Sequence, residues 1–329
     1  MAVTMRDVAK AASVSPATVS RALSSPKIVN PQTAEAVRQA ADRLGYRLNR
    51  AARGLITGRT SIIGIIVPDL GNPFFASMVK GIQSRARAGG YSAIVSDSDE
   101  DGNAEAELIG ELTGQVDGMI LCSPRMSERD LHELAKEIPL VMVNRAADGI
   151  PSVVFDDEEG ARQATMHLRS LGHRTLAWAG GPEASWSQGQ RLRGVKIAVE
   201  ETGLELLEFG PFVPRFESGI AAADLVLASQ ATAVLAYNDL MAMGILRRLF
   251  ERGIAVPTDI SVVGNDDLLF STMGSPTLTT VALPIERAGR ASVDLLLDLL
   301  TQPDSAAQMH RELPTSLLVR GSTGEAKEK

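Results

Sequence analysis

Residues 14–23 read VSPATVSRAL, and this stretch decides how the first part of the chain folds. Ser15 is a residue type that caps helices, and Pro16 suits the first helical position, where its missing N–H has no partner to lose. At helical spacing one face carries Val19, Ala22 and Leu23, and the others carry Ala17, Thr18, Ser20 and Arg21. The stretch therefore predicts a short helix with small outer side chains and a single long one, Arg21.

Two more short helices flank this one. Thr4 followed by Asp7 forms the acidic variant of a capping box, and its helix is expected to end near Ser13. Asn30 and Pro31 begin a third helix, and Gly45 ends it. Its apolar stripe consists of Ala34, Val37, Ala41 and Leu44. Two helices joined by a tight turn and followed by a third predict an all-α helix-turn-helix headpiece, although other small helical bundles share this pattern.

Charge separates this region from the rest of the chain. The 329 residues carry a net charge of −7. Residues 1–60 hold ten Lys/Arg and three acidic residues, a balance of +7, so the remaining 269 residues carry −14. A small basic segment joined to a large acidic body is typical of a polyanion-binding module fused to another domain, rather than of an ordinary basic surface.

The predicted second helix has the side chains for reading DNA in the major groove. Arg21 can bind a guanine with two hydrogen bonds, and the Ala17 methyl can contact a thymine methyl. Thr18 and Ser20 can donate to phosphates or base edges. The small residues around them allow the helix backbone to approach the bases closely.

The next segment, YRLNRAARGLITGRT over residues 46–60, predicts a hinge. Asn49 can cap a helix over residues 50–56, which is too short to be stable alone and contains Gly54. We therefore expect this helix to fold only on DNA. Leu55 can act as an apolar wedge that kinks a base step, or, alternatively, as a linker residue that docks on the body.

From Ser61 onward, apolar strands alternate with amphipathic helices, the pattern of doubly wound parallel sheets. The alternation is long for one sheet, so we expect a body of two α/β lobes with a ligand cleft between them, at the carboxyl ends of the strands. Those ends carry Asn72, Phe74, Ser187, Arg191, Asn238 and Asp266. Aromatic, amide, carboxylate and guanidinium groups suit a small polyhydroxylated or heterocyclic ligand. The alternatives are that Asn238 and Asp239 only cap a helix and that Arg191 forms a structural ion pair.

Several classes of protein are excluded or disfavoured. There is no run of about 18 apolar residues and no apolar secretory signal, so we expect a cytoplasmic protein without a membrane role. The single cysteine, Cys122, lies in an apolar run and is expected in the core rather than as a nucleophile. The nucleotide-binding glycine motifs and the nucleophile elbow are absent, and the four histidines lack metal spacing. We expect no enzyme activity and no cofactor.

The residues above carry a family resemblance. TMRDVAKAASVSPATVSRAL resembles the DNA-binding signature of the lac/Gal repressor family of bacterial transcription regulators, and LGYRLNRAARGL is similar to its headpiece end and hinge helix. NPFF, GHRTLAWAGGP, RLRG, NDLMAMG and SPTLTTV resemble landmarks of its body, which is similar to two-lobed periplasmic sugar-binding proteins. The resemblance runs from Thr4 to about Arg320.

The resemblance implies roles for individual residues. Ser15 begins the recognition helix, in which Pro16, Ala17 and Arg21 match base-reading positions. The phosphate-contacting positions are matched by Thr4, Ser20, Asn30 and Thr33, and Tyr46, Asn49 and Arg53 complete the candidate DNA contacts. Leu55 matches the minor-groove leucine, whose usual target is a central CG step of a palindromic operator. Arg191, Asn238, Asp266, Phe74 and Ser187 match effector-binding positions.

Two positions depart from the family pattern near the predicted cleft. Asn265 stands where an aromatic residue is common, and Leu283 stands where glutamine is common. The usual hexose is therefore not carried over as the effector, although a sugar-like molecule is expected. The end of the chain also lacks the leucine heptads that build tetramers, so we expect a homodimer.

These inferences divide the chain into a headpiece (1–47), a hinge (48–60) and an effector-binding and dimerisation body (61–329) with a disordered tail from about 321. The expected function is that of a DNA-binding regulator, a repressor, whose operator affinity changes when an effector alters the angle between the lobes. Whether the effector releases or promotes DNA binding stays open. The alternative is a solute-binding protein for transport, which the basic head and the missing signal disfavour.

Overall fold

The computed structural model describes residues 3–24, 28–46, 59–302 and 309–327. The chain divides into two compact units, Met1–Ser61 and Ile62–Lys329. None of the described helices is long and apolar enough to cross a membrane. The predicted hinge helix, residues 50–56, lies outside the described part of the chain.

The first unit is the predicted three-helix headpiece. Its helices are α1 (Met5–Ala11), α2 (Pro16–Ser24) and α3 (Pro31–Leu44). Val8, Val19 and Val37, one from each helix, are fully buried in a shared core. Leu44 was expected in this core but is exposed, since α3 turns Ala40 and Ala41 inward at its C-terminal end.

Side chains fix where the helices begin and end. The Asp7 carboxylate accepts hydrogen bonds from the backbone N–H (2.8 Å) and the hydroxyl (2.7 Å) of Thr4. The Asn30 side chain accepts from the N–H of Gln32 at 2.9 Å, and Gly45 ends α3 at a φ of 67°, which glycine adopts without strain. These local bonds fix the beginning of α1 and both ends of α3.

The second unit contains two sheets. The strands of the first lobe are β1 (Ile62–Val67), β2 (Ser92–Asp97), β3 (Gly118–Cys122), β4 (Leu140–Val143), β5 (Ser152–Phe155) and, later in the chain, β11 (His310–Leu313). Their spatial order is β11–β5–β4–β3–β1–β2, with every neighbouring pair parallel. The helices between them are α4 (Pro73–Ala88), α5 (Gly102–Leu112) and α6 (Glu128–Glu137).

The second lobe has the same plan. Its strands are β6 (Thr175–Ala179), β7 (Glu205–Phe209), β8 (Ala233–Ala236), β9 (Ser261–Asp266), β10 (Thr279–Ala282) and β12 (Ser316–Leu318). They lie in the order β12–β10–β9–β8–β6–β7, parallel except for the edge strand β12. Its helices are α7 (Asp157–Ser170), α8 (Trp186–Thr202), α9 (Phe216–Leu227) and α10 (Asp239–Glu251). The expectation of two doubly wound α/β lobes is confirmed.

The chain crosses between the lobes three times, after β5, after β10 and after β11. After β10 it forms α11 (Ile285–Thr301), which returns to pack against α4 and the first sheet. Each lobe is therefore built from non-contiguous segments of the chain.

The expected disordered tail is wrong for residues 321–327. Ser322 is fully buried, its hydroxyl donates to the carbonyl of Val262 at 2.6 Å, and it accepts from the N–H of Thr279 at 2.8 Å. The N–H of Gly324 donates to the Ser261 hydroxyl at 3.1 Å. Small residues let this segment lie against β9 and β10 and satisfy its backbone there.

Candidate functional sites

The outer face of α2 presents the predicted base-reading residues. Pro16, Ala17 and Arg21 are exposed, whereas Val19 and Ala22 on the opposite face are buried. The Arg21 Nε donates to the carbonyl of Ala17 at 3.4 Å, so the side chain lies along its own helix. The face is small and smooth apart from this arginine, which suits close approach to a groove.

Ser15 and Thr18 are joined at the start of α2. The N–H of Thr18 donates to the Ser15 hydroxyl at 3.1 Å, and the two hydroxyls are 2.9 Å apart. Ser15 therefore acts as the predicted N-cap. Ser20, one turn from Pro16, is half-buried. All three hydroxyls lie within the first turns of the helix that is expected to enter the groove.

The other predicted DNA contacts lie around α2 in the headpiece. Thr4 and Asn30 are exposed at the beginnings of α1 and α3, and Thr33 is half-buried in the first turn of α3. Tyr46 is half-buried against the headpiece core. Asn49, Arg53 and Leu55 lie outside the described residues, so their roles stay predictions.

The second candidate site is the cleft between the two lobes. Five of the six predicted effector residues line one small cavity there: Asn72, Phe74, Arg191, Asn238 and Asp266. The sixth, Ser187, is buried and does not line the cavity. Its hydroxyl lies 3.3 Å from that of Tyr237, which does line it. The carboxyl ends of strands from both sheets thus meet at this point, as the strand pattern predicts.

Arg191 is the centre of the second lobe's side of the cleft. Its Nε donates to Asp157 at 2.7 Å, one terminal nitrogen donates to the carbonyl of Tyr237 at 2.7 Å, and the other lies 3.6 Å from Asp266. The guanidinium also lies 5.0 Å from the centroid of the Tyr237 ring, in a cation–π arrangement. The ion pair that was an alternative to a ligand role is present, and it holds Arg191 at the cavity wall.

Burial controls the protonation of the acids near Arg191. Desolvation raises the pKa of Asp266 well above its ordinary value, although Arg191 acts to lower it. Desolvation likewise raises the pKa of Asp157, and Arg191 again opposes the shift. Burial alone would lower the pKa of Arg191, but Asp157, Asp266 and Tyr237 together raise it. The guanidinium therefore stays charged, and the neighbouring buried carboxylates are held beside it at the cavity wall.

Asn238 combines the two roles that the sequence left open. Its Oδ1 accepts from the N–H of Met241 at 3.0 Å, which makes it the N-cap of α10, and the residue also lines the cavity. The neighbouring Asp239 is structural. It accepts hydrogen bonds from the N–H of Leu268 (2.9 Å) and the hydroxyls of Ser271 (2.5 Å) and Thr280 (2.6 Å).

Four polar residues that line the same cavity were not predicted from the sequence: Glu100, Arg125, Asn144 and Tyr237. Glu100 follows β2, Arg125 follows β3, Asn144 follows β4 and Tyr237 follows β8. The rule that pointed to the other residues, polar groups just beyond the carboxyl ends of strands, could have found them. In particular, Arg125 lies three residues after Cys122, a position that was considered only for its thiol.

Cys122 is in the core, as expected. It is 1% exposed, and burial raises the pKa of its thiol far above the ordinary value, so it is not a reactive thiolate. Within residues 3–24, 28–46, 59–302 and 309–327, no group of three or more His, Cys, Asp or Glu side chains could hold a metal ion.

The headpiece and the two-lobed body define a class of protein, a DNA-binding regulator joined to a small-molecule-binding domain. Residues 4–49 match the family model described as bacterial regulatory proteins, lacI family, and residues 165–323 match a periplasmic binding protein-like domain. Catabolite control protein A of Priestia megaterium is 34% identical over 98% of this chain and 100% of its own length. The chain belongs to the LacI family of bacterial transcriptional regulators.

Solved structures agree with this assignment. The lac repressor dimer bound to operator and the anti-inducer ONPF superimposes with a TM-score of 0.89, at 32% identity over 98% of this chain and 100% of that one. The complex of the transcriptional regulator CelR with cellobiose gives a TM-score of 0.71, at 33% identity over 97% and 99% of the two chains. Transport-type solute binding without a DNA role is not favoured.

Proposed function

We propose that this protein is a homodimeric repressor whose affinity for a palindromic operator is set by a sugar-like effector bound between its lobes. The observation that supports the proposal most directly is the meeting of Asn72, Phe74, Arg191, Asn238 and Asp266 at one cavity, in a chain whose headpiece presents Pro16, Ala17 and Arg21 outward. The lac repressor structure holds operator and an anti-inducer, and the CelR structure holds cellobiose, which makes both ligand classes reasonable for this chain.

Each part of the proposal assigns residues to a task. In each half-site α2 reads bases through Arg21 and Ala17, while Thr4, Ser20, Asn30 and Thr33 contact phosphates. Leu55 is assigned to the central CG step, and Tyr46, Asn49 and Arg53 are assigned to further DNA contacts. Effector binding between the lobes changes their angle and so the spacing of the two headpieces. No reaction and no cofactor are assigned, and the cytoplasm, where the DNA lies, is the proposed location.

The experiment selects an operator from random duplexes and measures affinity by fluorescence anisotropy at a stated salt concentration. The proposal expects a palindromic sequence that is bound about 10³-fold or more tightly than random DNA. It also expects a dimer by sedimentation on that DNA. Binding that is equal for all duplexes would contradict base reading. A monomer on a single half-site would contradict the homodimer.

A further inference from the structure

Glu100 and Arg125 form a buried ion pair that separates two spaces in the cleft. Arg125 Nε donates to one Glu100 oxygen at 2.7 Å and a terminal nitrogen donates to the other at 3.0 Å, and the side chains are 4% and 10% exposed. Both residues line the inner cavity, of about 20 Å³, and an outer pocket of about 380 Å³ that Pro211, Phe212 and Val213 also line. The pair is therefore the wall between these spaces.

The inner cavity is too small to hold a ligand while Glu100 stays paired with Arg125. The inner cavity has room for about one water molecule, whereas ligand pockets measure about 300–1,000 Å³. The residues that match effector positions, Arg191, Asn238 and Asp266, lie on the inner side. A ligand that reaches them from the outer pocket must displace the Glu100 side chain from Arg125.

Arg125 is held in place whether or not Glu100 is paired with it. Another of its terminal nitrogens donates to the carbonyl of Ser123 at 2.7 Å. The backbone N–H groups of Arg125 and Met126 donate to the buried carboxylate of Glu105, at 2.8 and 3.0 Å. The arginine is thus held by its own loop through bonds other than those to Glu100, whereas the Glu100 carboxylate comes from a separate loop, the one after β2.

Displacing Glu100 leaves a buried charge that needs a new partner. Among the described residues, no other carboxylate lies within 4.0 Å of the Arg125 guanidinium. An unpaired buried guanidinium is strongly unfavourable, and a planar carboxylate or a phosphate restores the two parallel hydrogen bonds. Neighbouring hydroxyls of a neutral sugar can also accept hydrogen bonds from the guanidinium, but they bring no negative charge to replace that of Glu100. A ligand that replaces Glu100 as the partner of Arg125 is therefore expected to carry an anionic group.

The rest of the inner cavity suits hydroxyl groups. Asn144 is 4% exposed and lines the cavity. Its Nδ2 donates to Ser123 at 2.9 Å, whereas its Oδ1 has no hydrogen-bond partner within the described part of the chain. A buried acceptor without a donor is costly, and a ligand hydroxyl would satisfy it. The amide of Asn72 and the carboxyl of Asp266 lie around the same space.

We propose that the effector is an anionic sugar, a sugar acid or a sugar phosphate, whose negative group replaces Glu100 on Arg125 while its hydroxyls contact Asn144 and the residues around Arg191. This inference rests on the proposed function, because it names the ligand class of the same cleft. Glu100 occupies the position that the anionic group of the ligand takes.

The test is isothermal calorimetry on the full-length protein with matched pairs of probes. Gluconate, glucuronate and galacturonate are compared with glucose and galactose, and glucose 6-phosphate and ribose 5-phosphate with glucose and ribose. At least one anion should bind about tenfold or more tightly than its neutral parent. Whether the anion that binds is a carboxylate or a phosphate then shows whether the ligand is a sugar acid or a sugar phosphate. Neutral parents that bind as well as the anions, or a panel in which no anion binds, overturn the proposal.

Two variants connect the binding to the ion pair. Arg125→Gln should lower the affinity for the anion about tenfold or more and leave the affinity for its neutral parent little changed. Glu100→Gln should raise the affinity for the anion, because the ligand then has no charged partner of Arg125 to displace. Arg247→Gln is the matched control, since Arg247 pairs with Glu251 on the surface of α10. Equal anion affinity in Arg125→Gln and wild type, or weaker binding in Glu100→Gln, contradicts the proposal. If Arg125→Gln does not fold by circular dichroism, Glu100→Gln decides.

The two hypotheses fail in different ways. A neutral sugar that binds the cleft and changes operator affinity supports the proposed function and overturns the anionic ligand. An anion that binds through Arg125 in a protein without any operator preference supports the ligand class and contradicts the repressor.

Discussion

The Nε of Arg191 lies 2.7 Å from a carboxylate oxygen of Asp157, and both side chains are buried. Asp157 is the first residue of α7, directly after the chain has left the first sheet at the end of β5. Arg191 lines the ligand cavity from α8. One ion pair therefore joins the cavity wall to a crossing between the lobes.

Arg191→Ala should abolish the response of operator binding to effector. In the wild type we expect the effector to change operator affinity about 5–150-fold, and in the variant that factor should approach one. Because Asp157 would be left buried and unpaired, the free energy of unfolding should also fall by about 3–5 kcal/mol. Anisotropy titrations with and without effector, together with urea denaturation, measure both.

The matched control is Arg193→Ala on the same helix. Arg193 pairs with Glu158 on the surface, where an ion pair contributes little. An effector response that survives in Arg191→Ala would show that the ligand does not act through this part of the cleft.

Arg21→Ala should reduce operator affinity by about 1–3 kcal/mol and relax the preference at one base position in each half-site. The reason is that Arg21 is exposed on the outer face of α2 and its side chain is long enough to reach the base edges. Arg38→Ala is a suitable control, because Arg38 pairs with Glu35 on the surface of α3. Affinities for a set of single-base operator variants give the answer. A uniform loss across all of them would assign Arg21 to phosphate instead.

Gly194→Ala should destabilise the second lobe. A methyl group at this position of α8 would overlap the carbonyl oxygen of Glu158 on α7, so the helices would have to separate. Overpacking of this kind costs about 1–3 kcal/mol. Gly189→Ala on the same helix has no heavy atom within 4 Å of the new methyl group and should gain up to about 1 kcal/mol from helix propensity. Urea denaturation of both variants should give opposite signs. Two stabilised variants would contradict the close crossing of α7 and α8.

His173 should make stability fall on mild acidification. Its ring nitrogens lie 2.8 Å from the Thr232 hydroxyl and 3.0 Å from the Ser261 hydroxyl, and burial lowers its pKa. A histidine with a lowered pKa is neutral in the folded state, so the unfolded chain binds more protons and stability is lost as the pH falls from about 6.5 through the lower folded value. The melting temperature of His173→Gln should therefore depend less on pH between 7.5 and 5.5.

Two other histidines serve as references for that experiment. Burial also lowers the pKa of His167. Its contribution to the pH dependence of stability therefore has the same sign as that of His173, and it remains in the His173→Gln variant. His132 has the opposite sign, because the carbonyls of Asp148 and Glu128 raise its pKa, so its contribution is present at low pH and is lost as the pH rises through the folded value. His132→Gln should steepen the loss on acidification. An unchanged pH profile in His173→Gln would exclude His173 as the group responsible.

Local chemistry made the headpiece predictable. Thr4, Ser15, Asn30 and Gly45 act through bonds to backbone groups within a few residues, which sequence spacing shows directly. The position of Leu44 was wrong because its burial depends on how three helices pack rather than on the period of one. The edge strand β12 and the packed segment after it were missed for a related reason. They are stabilised by partners far away in the chain, such as Val262 for Ser322.

The cleft was predictable to the extent that strand ends converge. Arg191 and Asp266 come from the same rule as Arg125, yet the ion pair of Arg125 with Glu100 depends on how the loops after β2 and β3 fold against each other. The three crossings between the lobes also leave little trace in the sequence, because the apolar stripe of α11 does not indicate which of the two sheets it covers.

A ligand between the lobes and an operator on the headpieces are expected to influence each other's binding. The direct measurement is the affinity of the wild-type protein for its selected operator, at one salt concentration, with and without a saturating amount of the sugar acid or sugar phosphate that calorimetry shows to bind. We expect operator affinity to change about 5–150-fold, and ligand affinity to change by the same factor when operator is present. The same operator affinity with and without bound ligand would contradict this expectation.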